Sequence, residues 1–507
     1  MDFVRGTPRE QIALFPEVME DYISEDNPVR FIDAFVDEMD LMKRGFEGTQ
    51  HASTGRPPYH PGDLLKLQIY GYLNKIRSSR SLERETHRNI EVIWLLRKLR
   101  PDHKTISDFR KRNRASFKEV AREFSVLCRD MGLFGGELIA IDGSRFKAVN
   151  SPDRNFTKGK LKKRLQRLDE IIDSYLDALD QADEEEADDD HQPTNEELQE
   201  KIQCLKERKD TYGQLLEDLE ESGESQVSLT DPDSRSTAHK IESGVGFNGQ
   251  IAVDDKHHLI VAQDVTNKIT DTQQLSKMAV EAKEVLGVDE LKAVADSGYY
   301  NGPEVKKCED ENIEAYVPKR PSSNCATRGL FSKEQFTYDR WRDCYTCPAG
   351  EVLTCRCVAA KNSKGPGKNH LLRHYATAAC KTCELRSRCT TNKNGRTIPR
   401  WVDEAVVERM EKRVAENPEL MEKRKTIVEH PFGAMKFWNN QSHFLSRGLE
   451  NVRGEFSLMT LAYNIKRVIK LVGVPKMVEA LRMRAVAYLS VAIPQCYHAL
   501  LRRLTFA

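Results

Sequence analysis

The chain has 507 residues, of which 31% are charged and 39% hydrophobic, so roughly two to four domains with a buried core are expected. Its 79 Lys and Arg balance 79 Asp and Glu, and the total charge therefore does not by itself demand a nucleic-acid partner. No apolar run approaches the length of a membrane span, and the first residues lack a signal-peptide pattern. We expect a cytoplasmic, nucleoid-associated protein with no membrane partner.

Residues 1–130 are predicted to form a helical domain. Asp63 is expected to cap an amphipathic helix, a second helix should begin near Ser81, and a third should run from Ser107 through Val120.

The third predicted helix is strongly basic. Between Arg97 and Arg122 there are ten Lys or Arg and only three Asp or Glu. Its exposed face is either an ordinary solvated surface or a DNA-contacting surface of a helix-turn-helix-like domain, in which cations meet backbone phosphates. The residues that would make these contacts are Arg110, Lys111, Arg112, Arg114 and Lys118.

An α/β core is predicted after residue 130. Its first strand is 137–148, followed by a strand hairpin at 246–265, a helix at 272–286 and a strand that ends at Asp296. A further strand is expected at 314–318.

A helical insertion, 158–221, interrupts this core. Leucine, isoleucine and tyrosine recur in it at spacings of three or four residues, on both sides of an acidic turn. Two long helices folded as a hairpin and a coiled coil between subunits both fit this pattern.

Cysteines concentrate in a second insertion, 331–400, where seven of the twelve lie between Cys344 and Cys389. Cys344 and Cys347 form one CxxC pair, and Cys380 and Cys383 form another. Because Zn2+ prefers four thiolate ligands in a tetrahedron, the cluster predicts a structural Zn2+ site, although seven candidates exceed four ligands.

Three acidic residues stand in distinctive local settings. Asp142 and Asp296 come at the ends of short apolar runs that read as buried strands, and Glu429 lies in a charged helical stretch. Carboxylates that converge from strand ends and a helix bind hard divalent cations such as Mg2+. Two such ions stabilise the attacking and leaving oxygens of a phosphodiester, which is the chemistry of DNA cleavage and joining.

Together these features resemble the DDE-type transposases of bacterial insertion sequences over nearly the whole chain. The resemblance is carried by five stretches, namely Tyr59–Leu65, Asp231–Arg235, Gly246–Asp254, Val294–Tyr299 and Val428–Lys436. It implies an RNase H-like mixed α/β sheet with a helical N-terminal domain, a coiled-coil-like helical insertion and a small zinc-binding insertion. The domains would be 1–130 for DNA binding, 131–480 for catalysis and 481–507 as a C-terminal tail.

The resemblance also implies the site. Asp142, Asp296 and Glu429 would be the catalytic triad and would bind two Mg2+ or Mn2+ ions, with Asp142 as the bridging ligand. The substrates would be double-stranded DNA, as terminal inverted repeats and target DNA, and holding two element ends together implies a homodimer. The alternatives are a nuclease of the same fold and a non-catalytic DNA-binding regulator.

Two details depart from the family pattern. In the related Tyr-Arg-Glu-Lys motif, Glu422 stands in place of Tyr and Lys425 in place of Arg, with Arg424 adjacent, while Lys436 keeps the last position as a DNA phosphate contact. The family favours one zinc quartet, whereas spacing alone pairs Cys344 with Cys347, the first member of that quartet. That quartet is Cys347, Cys380, Cys383 and Cys389.

Overall fold

A computed structural model describes residues 18–49, 57–150, 154–184, 195–237, 244–319, 329–361 and 370–486. Six helices make up the N-terminal region: α1 (Pro28–Asp37), α2 (Pro61–Leu73), α3 (Ser79–Arg88), α4 (Ile90–Leu95), α5 (His103–Arg112) and α6 (Ser116–Asp130). Every residue of α2 is buried, so this helix is the centre of the helical region.

The predicted helix boundaries need two corrections here. His60, not Asp63, is the N-cap of α2: its ring nitrogen accepts from the amide of Gly62 at 3.1 Å, and Pro61 occupies the first helical position, where its missing N–H is harmless. The single helix predicted from Ser107 is two helices, α5 and α6. The break follows from Asn113, whose buried side chain accepts a hydrogen bond from the distant amide of Glu47.

The main sheet has six strands: β1 (Leu138–Lys147), β4 (Arg235–Thr237), β5 (Gly244–Asp254), β6 (Ile260–Thr266), β7 (Leu291–Ala295) and β8 (Ile313–Tyr316). Their order is β4-β5-β1-β7-β8, and β6 pairs with β5 beside β4. β5 is antiparallel to β1, whereas β7 and β8 run parallel to it, so the sheet is mixed. The predicted hairpin and the strand that ends before Asp296 are confirmed.

Helices cover this sheet. They are α9 (Leu275–Leu286), α10 (Gly302–Asp310), α12 (Glu404–Glu416), α13 (Pro418–Gly433) and α14 (Leu449–Val472), followed by a helical stretch at 474–486. α14 is buried along most of its length, because it packs against β6 on the sheet and against α2 and α6 of the N-terminal region. One continuous apolar core therefore joins the helical region to the sheet.

The helical insertion is a hairpin within one chain. α7 (Lys158–Glu184) and α8 (Asn195–Glu221) pack against each other, with Lys209 paired to Asp169 at 2.6 Å. Two short strands, β2 (Asn155–Thr157) and β3 (Gln226–Ser228), close its base.

The cysteine-rich region forms a second sheet, which the sequence analysis did not predict. Its strands are β9 (Thr337–Asp339), β10 (Cys344–Thr346), β11 (Val352–Lys361), β12 (His370–Ala376) and β13 (Ile398–Trp401), with a short helix α11 (Arg386–Cys389). The strand order is β13-β12-β11-β10-β9, and the sheet has a small apolar core of its own. The part of the tail beyond residue 486 lies outside the described residues.

In the described part of the chain, every helix is too short or too polar to cross a membrane.

Candidate active site

Asp142 and Asp296 occupy equivalent places on neighbouring parallel strands. Ile141 of β1 is in register with Ala295 of β7, so the next residue on each strand is an aspartate. The negative charge of Asp296 acts on Asp142, which places the two carboxylates near each other. Parallel pairing of two apolar runs that both stop at an aspartate therefore builds this acidic pair.

Asp142 is held from two sides. Its Oδ1 accepts from the backbone amide of Gly143 at 2.8 Å, and its Oδ2 accepts from Nη1 of Arg424 at 3.3 Å. Burial, and to a smaller extent the charges of Asp296 and Asp271, raise the pKa of Asp142 to about 6, although Arg424 and the Gly143 amide act in the opposite direction. Removing a carboxylate from water disfavours its charged form, and a cation placed here would relieve that penalty.

Asp296 also caps the turn that follows it. Its Oδ1 accepts from the amide of Gly298 at 2.7 Å and caps a single 3-10 turn, Ser297–Tyr299. The apolar run followed by Asp-Ser-Gly therefore specifies both the end of β7 and the orientation of the carboxylate.

A third acid, Asp271, lies beside this pair, and the sequence analysis missed it. Its Oδ1 accepts from the side-chain amides of Asn248 at 2.6 Å and Gln250 at 2.7 Å, and the Tyr299 hydroxyl donates to the Gln250 carbonyl. A Cβ on Gly143 would lie 2.2 Å from Gln250 Nε2 and 2.9 Å from Asp271 Oδ1, so a larger residue there would displace this hydrogen-bonded network. Two amides at alternate positions of an otherwise apolar strand were the available signal.

Glu429 does not join the two aspartates in this structure. It lies on α13, its side chain is exposed, and no hydrogen bond or ion pair connects that side chain to another described residue. Arg424, five residues earlier, faces Asp142, and five residues of α-helix rotate the side-chain direction by about 140°. Among the residues described, no three His, Cys, Asp or Glu side chains form a group that could hold one metal ion.

The chemistry of the donors fits a hard divalent cation in part. Asp142 and Asp296 supply carboxylate oxygens at adjacent strand ends, and burial beside other acids raises the pKa of Asp142. On α13, the side chain that faces Asp142 is that of Arg424.

In the family motif around Glu429, the side chain that faces the acidic pair is not at a motif position. Glu422 and Lys425 are exposed, whereas Arg424 is largely buried against Asp142. Arg424, which is adjacent to the motif position, faces the acidic pair, whereas Lys425, which occupies that position, does not. Lys436 lies with its Nζ 5.0 Å from the ring centroid of Phe146, on the same strand as Asp142.

The predicted DNA-binding residues have different surroundings. Arg110 donates to the carbonyl of Arg77, Arg114 to the side chain of Asn451, and Lys118 forms an ion pair with Glu281 at 2.8 Å. Lys111 and Arg112 are exposed and have no hydrogen-bond or ion-pair partner among the described residues.

The four cysteines favoured by the family line one small pocket in the cysteine-rich region: Cys347, Cys380, Cys383 and Cys389. Burial raises the pKa of the Cys389 thiol, and the other three thiols raise it further, so the four are close enough to interact. Cys344 is buried within β10, and Cys355 and Cys357 are exposed on β11. As placed, these four thiols do not reach a metal-ligand arrangement either.

Comparison with known proteins identifies the class. Residues 17–112 match the family model "Transposase domain (DUF772)", and residues 346–469 match the model "Transposase DDE domain". Glu429 and the four pocket cysteines lie inside the second match, whereas Asp142 and Asp296 lie outside both. No curated protein matches the chain.

One solved structure was found, the cryo-EM structure of a piggyBac transposase synaptic complex with hairpin DNA. It is 10% identical, with 90% of this chain and 80% of that chain covered and a TM-score of 0.33. This likeness is too low to support an argument about fold or function.

Both family models describe transposases, and the protein is therefore a transposase. More particularly, it is a DNA transposase of the DDE type, an enzyme class that generally uses divalent metal ions.

Proposed function

We propose that this transposase cuts its element's ends and joins them to target DNA at a site built from Asp142, Asp296 and Glu429. The observation that carries the proposal is the register of β1 and β7, which brings Asp142 and Asp296 to the same edge of the sheet. The raised pKa of Asp142 supports it, since a carboxylate whose pKa is raised by burial beside other acids is typical of catalytic sites.

We further propose that the core is RNase H-like. The support is the strand pattern: an antiparallel meander of β1, β5 and β6, followed by β7 and β8 parallel to β1 through helical crossovers. The domain boundaries that follow are 1–130 and 131–480, with the hairpin 158–221 and the cysteine-rich sheet 331–400 inserted, and 481–507 as the tail.

Asp142, Asp296 and Glu429 would hold two Mg2+ or Mn2+ ions. When bound, such ions neutralise charge on the attacking and leaving oxygens of the phosphodiester. The protein's own part is to gather the carboxylates and to neutralise the DNA. Arg424 balances Asp142 until a cation takes that role, and Glu429 can then approach only if α13 turns or shifts.

The DNA would be held first by basic side chains outside the acidic site. Lys111 and Arg112 are exposed and fit phosphate contacts best; Arg110, Arg114 and Lys118 would have to exchange an existing partner for phosphate. Lys436, beside β1, would contact the strand nearest the carboxylates.

The remaining assignments are also proposals. A structural Zn2+ would bind Cys347, Cys380, Cys383 and Cys389, supported by their shared pocket. A homodimer would hold two element ends on the nucleoid, and light scattering of the intact protein tests it.

The test is cleavage and strand transfer on DNA that carries the element's own ends, with Mg2+ or Mn2+. We expect Asp296→Asn to abolish both reactions. Glu429→Gln should do the same, whereas Glu422→Gln should retain activity. These two glutamates are both exposed and lie two turns apart on α13, so they are a matched pair.

Each outcome has a definite meaning. Activity that survives Asp296→Asn would exclude the carboxylate site, and activity that survives Glu429→Gln alone would exclude Glu429 as its third member. Cut DNA without joined products would indicate a nuclease, and tight binding without cleavage would indicate a regulator.

A further inference from the structure

Two large aromatic side chains project into solvent beside the candidate site. Phe437 is 84% exposed and Trp438 is 78% exposed. They end a π-helical turn, Ala434–Trp438, that directly follows α13, while the flanking Met435 and Asn439 are buried. The backbone is thus anchored on both sides of the aromatic pair. Burying such side chains is normally favourable, so their exposure calls for a partner.

A cluster of lysines meets the residue that follows this pair in the chain. Nζ of Lys466, on α14, donates to Oδ1 of Asn439 at 2.9 Å, and Asn439 directly follows Trp438 in the chain. Burial and the positive charges of Lys75 and Lys470 lower the pKa of Lys466. The positive charges of Lys75, Lys466 and Lys470 repel one another, and a cluster of this kind favours the binding of an anion.

The pair is also tied to the acidic site. Lys436, immediately before Phe437, packs on Phe146 of β1, and Phe146 lies four residues after Asp142, about 13 Å along the strand. A DNA strand at the carboxylates would therefore pass the aromatic pair within a few nucleotides.

We propose that Phe437 and Trp438 stack on unpaired bases of the DNA while Lys75, Lys466 and Lys470 bind phosphates of the same strand. Aromatic faces with interleaved cations match the alternation of bases and phosphates in a single strand. A protein partner would instead need a complementary acidic and apolar surface. This inference rests on the proposed function for the identity of the strand, which would be the one opened at the cleavage point.

The experiment measures binding of the full-length protein to an oligothymidine of about 16 nucleotides containing one 2-aminopurine, without added divalent metal. Binding to a duplex of equal length is measured in parallel. We expect Trp438→Ala to raise the Kd for the single strand by about tenfold or more, and to remove the stacking quench of 2-aminopurine. The duplex Kd should change less than about twofold, and Trp438→Phe should restore most of the single-strand affinity.

Two further variants sharpen the test. Lys466→Ala should weaken binding and reduce the dependence of log Kd on log salt by about one ion. Trp341→Ala is the matched control, because Trp341 is 96% exposed but lies in the turn between β9 and β10 of the cysteine-rich region, and it should leave the Kd unchanged.

An unchanged single-strand Kd for Trp438→Ala, or an equal loss on the duplex, would overturn the proposal. So would a change in oligomeric mass with no change in DNA affinity, which would make the pair a protein interface. This binding assay needs no catalysis, so it tests the stacking proposal separately from the proposed carboxylate site. If wild-type protein is inactive but still stacks on 2-aminopurine, only the proposal for the carboxylate site is rejected.

Discussion

At the scale of single residues, Asp142 combines a role in the proposed chemistry with a penalty in folding. Its folded-state pKa of about 6 lies above the ordinary value of 3.8, so the folded protein binds this proton more tightly than the unfolded chain does. The stability that the protonated form contributes is complete below about pH 4 and is lost as pH rises through about 6.

Asp142→Asn should therefore stabilise the metal-free protein. We expect its free energy of unfolding at pH 7.5 to exceed that of wild type by about 1–3 kcal/mol, from a pKa shift of roughly two units, and the gain to vanish near pH 4. Denaturant unfolding at both pH values measures this. Glu429→Gln is the control, because its exposed side chain should change stability by less than about 0.5 kcal/mol. A destabilised Asp142→Asn at pH 7.5 would show that the Arg424 contact outweighs burial.

At the scale of elements, a buried ion pair joins the N-terminal helical region to α14, which packs on the main sheet. Arg77, between α2 and α3, lies 3.4 Å from Glu455 of α14, with 9% and 0% of the two side chains exposed. Glu455 also accepts from the amides of Leu445 and Ser446, and Arg77 donates to the carbonyl of His443. The segment held in this way pairs with the end of β1 at Lys147.

Breaking this pair from one side should be costly. We expect Glu455→Gln to lower the free energy of unfolding by about 3–5 kcal/mol, since it leaves the buried Arg77 charge uncompensated. Adding Arg77→Met should cost less than the sum of the single changes, by about 1–3 kcal/mol. Urea unfolding of the four proteins gives this coupling. The control is the exposed pair Lys306–Asp310, whose removal should change the free energy of unfolding by no more than about 1 kcal/mol. Purely additive effects of the Arg77 and Glu455 changes would contradict the proposed link between these two residues.

Some helices and strands could be predicted from the sequence, and others could not. β1, β6 and β7 are short apolar runs buried in the sheet, so their composition alone located them to within a few residues. The break between α5 and α6 depends on a bond from Asn113 to a residue far away in sequence.

In the candidate site, too, some residues could be predicted from the sequence and others could not. Asp142 and Asp296 could be found because each ends an apolar run. Asp271 and Arg424 reach the site through contacts with Asn248, Gln250 and Asp142, and no local pattern records those contacts.

At the scale of the whole molecule, the described residues pack into three separate apolar cores. The largest joins the N-terminal helices to the six-stranded sheet, a second lies at the base of the helical hairpin, and a third supports the cysteine-rich sheet. The third core has only five buried residues, Phe336, Tyr345, Leu353, Tyr375 and Ile398, with Cys347 and Cys389 packed against them. A core of this size rarely sustains a fold without a disulfide or a metal.

The proposed zinc site therefore predicts two thermal transitions whose metal dependence differs. A zinc-selective chelator should abolish or lower the transition of the cysteine-rich sheet and leave that of the main core in place, because metal binding supplies folding free energy only where its ligands lie. Differential scanning calorimetry, with elemental analysis of the purified protein, measures both the transitions and the metal. Cys383→Ser should reproduce the effect of the chelator. Cys357→Ser should not, because Cys357 is exposed on β11 away from the pocket. If the purified protein contains no zinc and melts identically with and without chelator, the cysteine-rich region holds no structural metal. The stability of this region would then have to come from packing against α12, through contacts such as Arg400–Glu408.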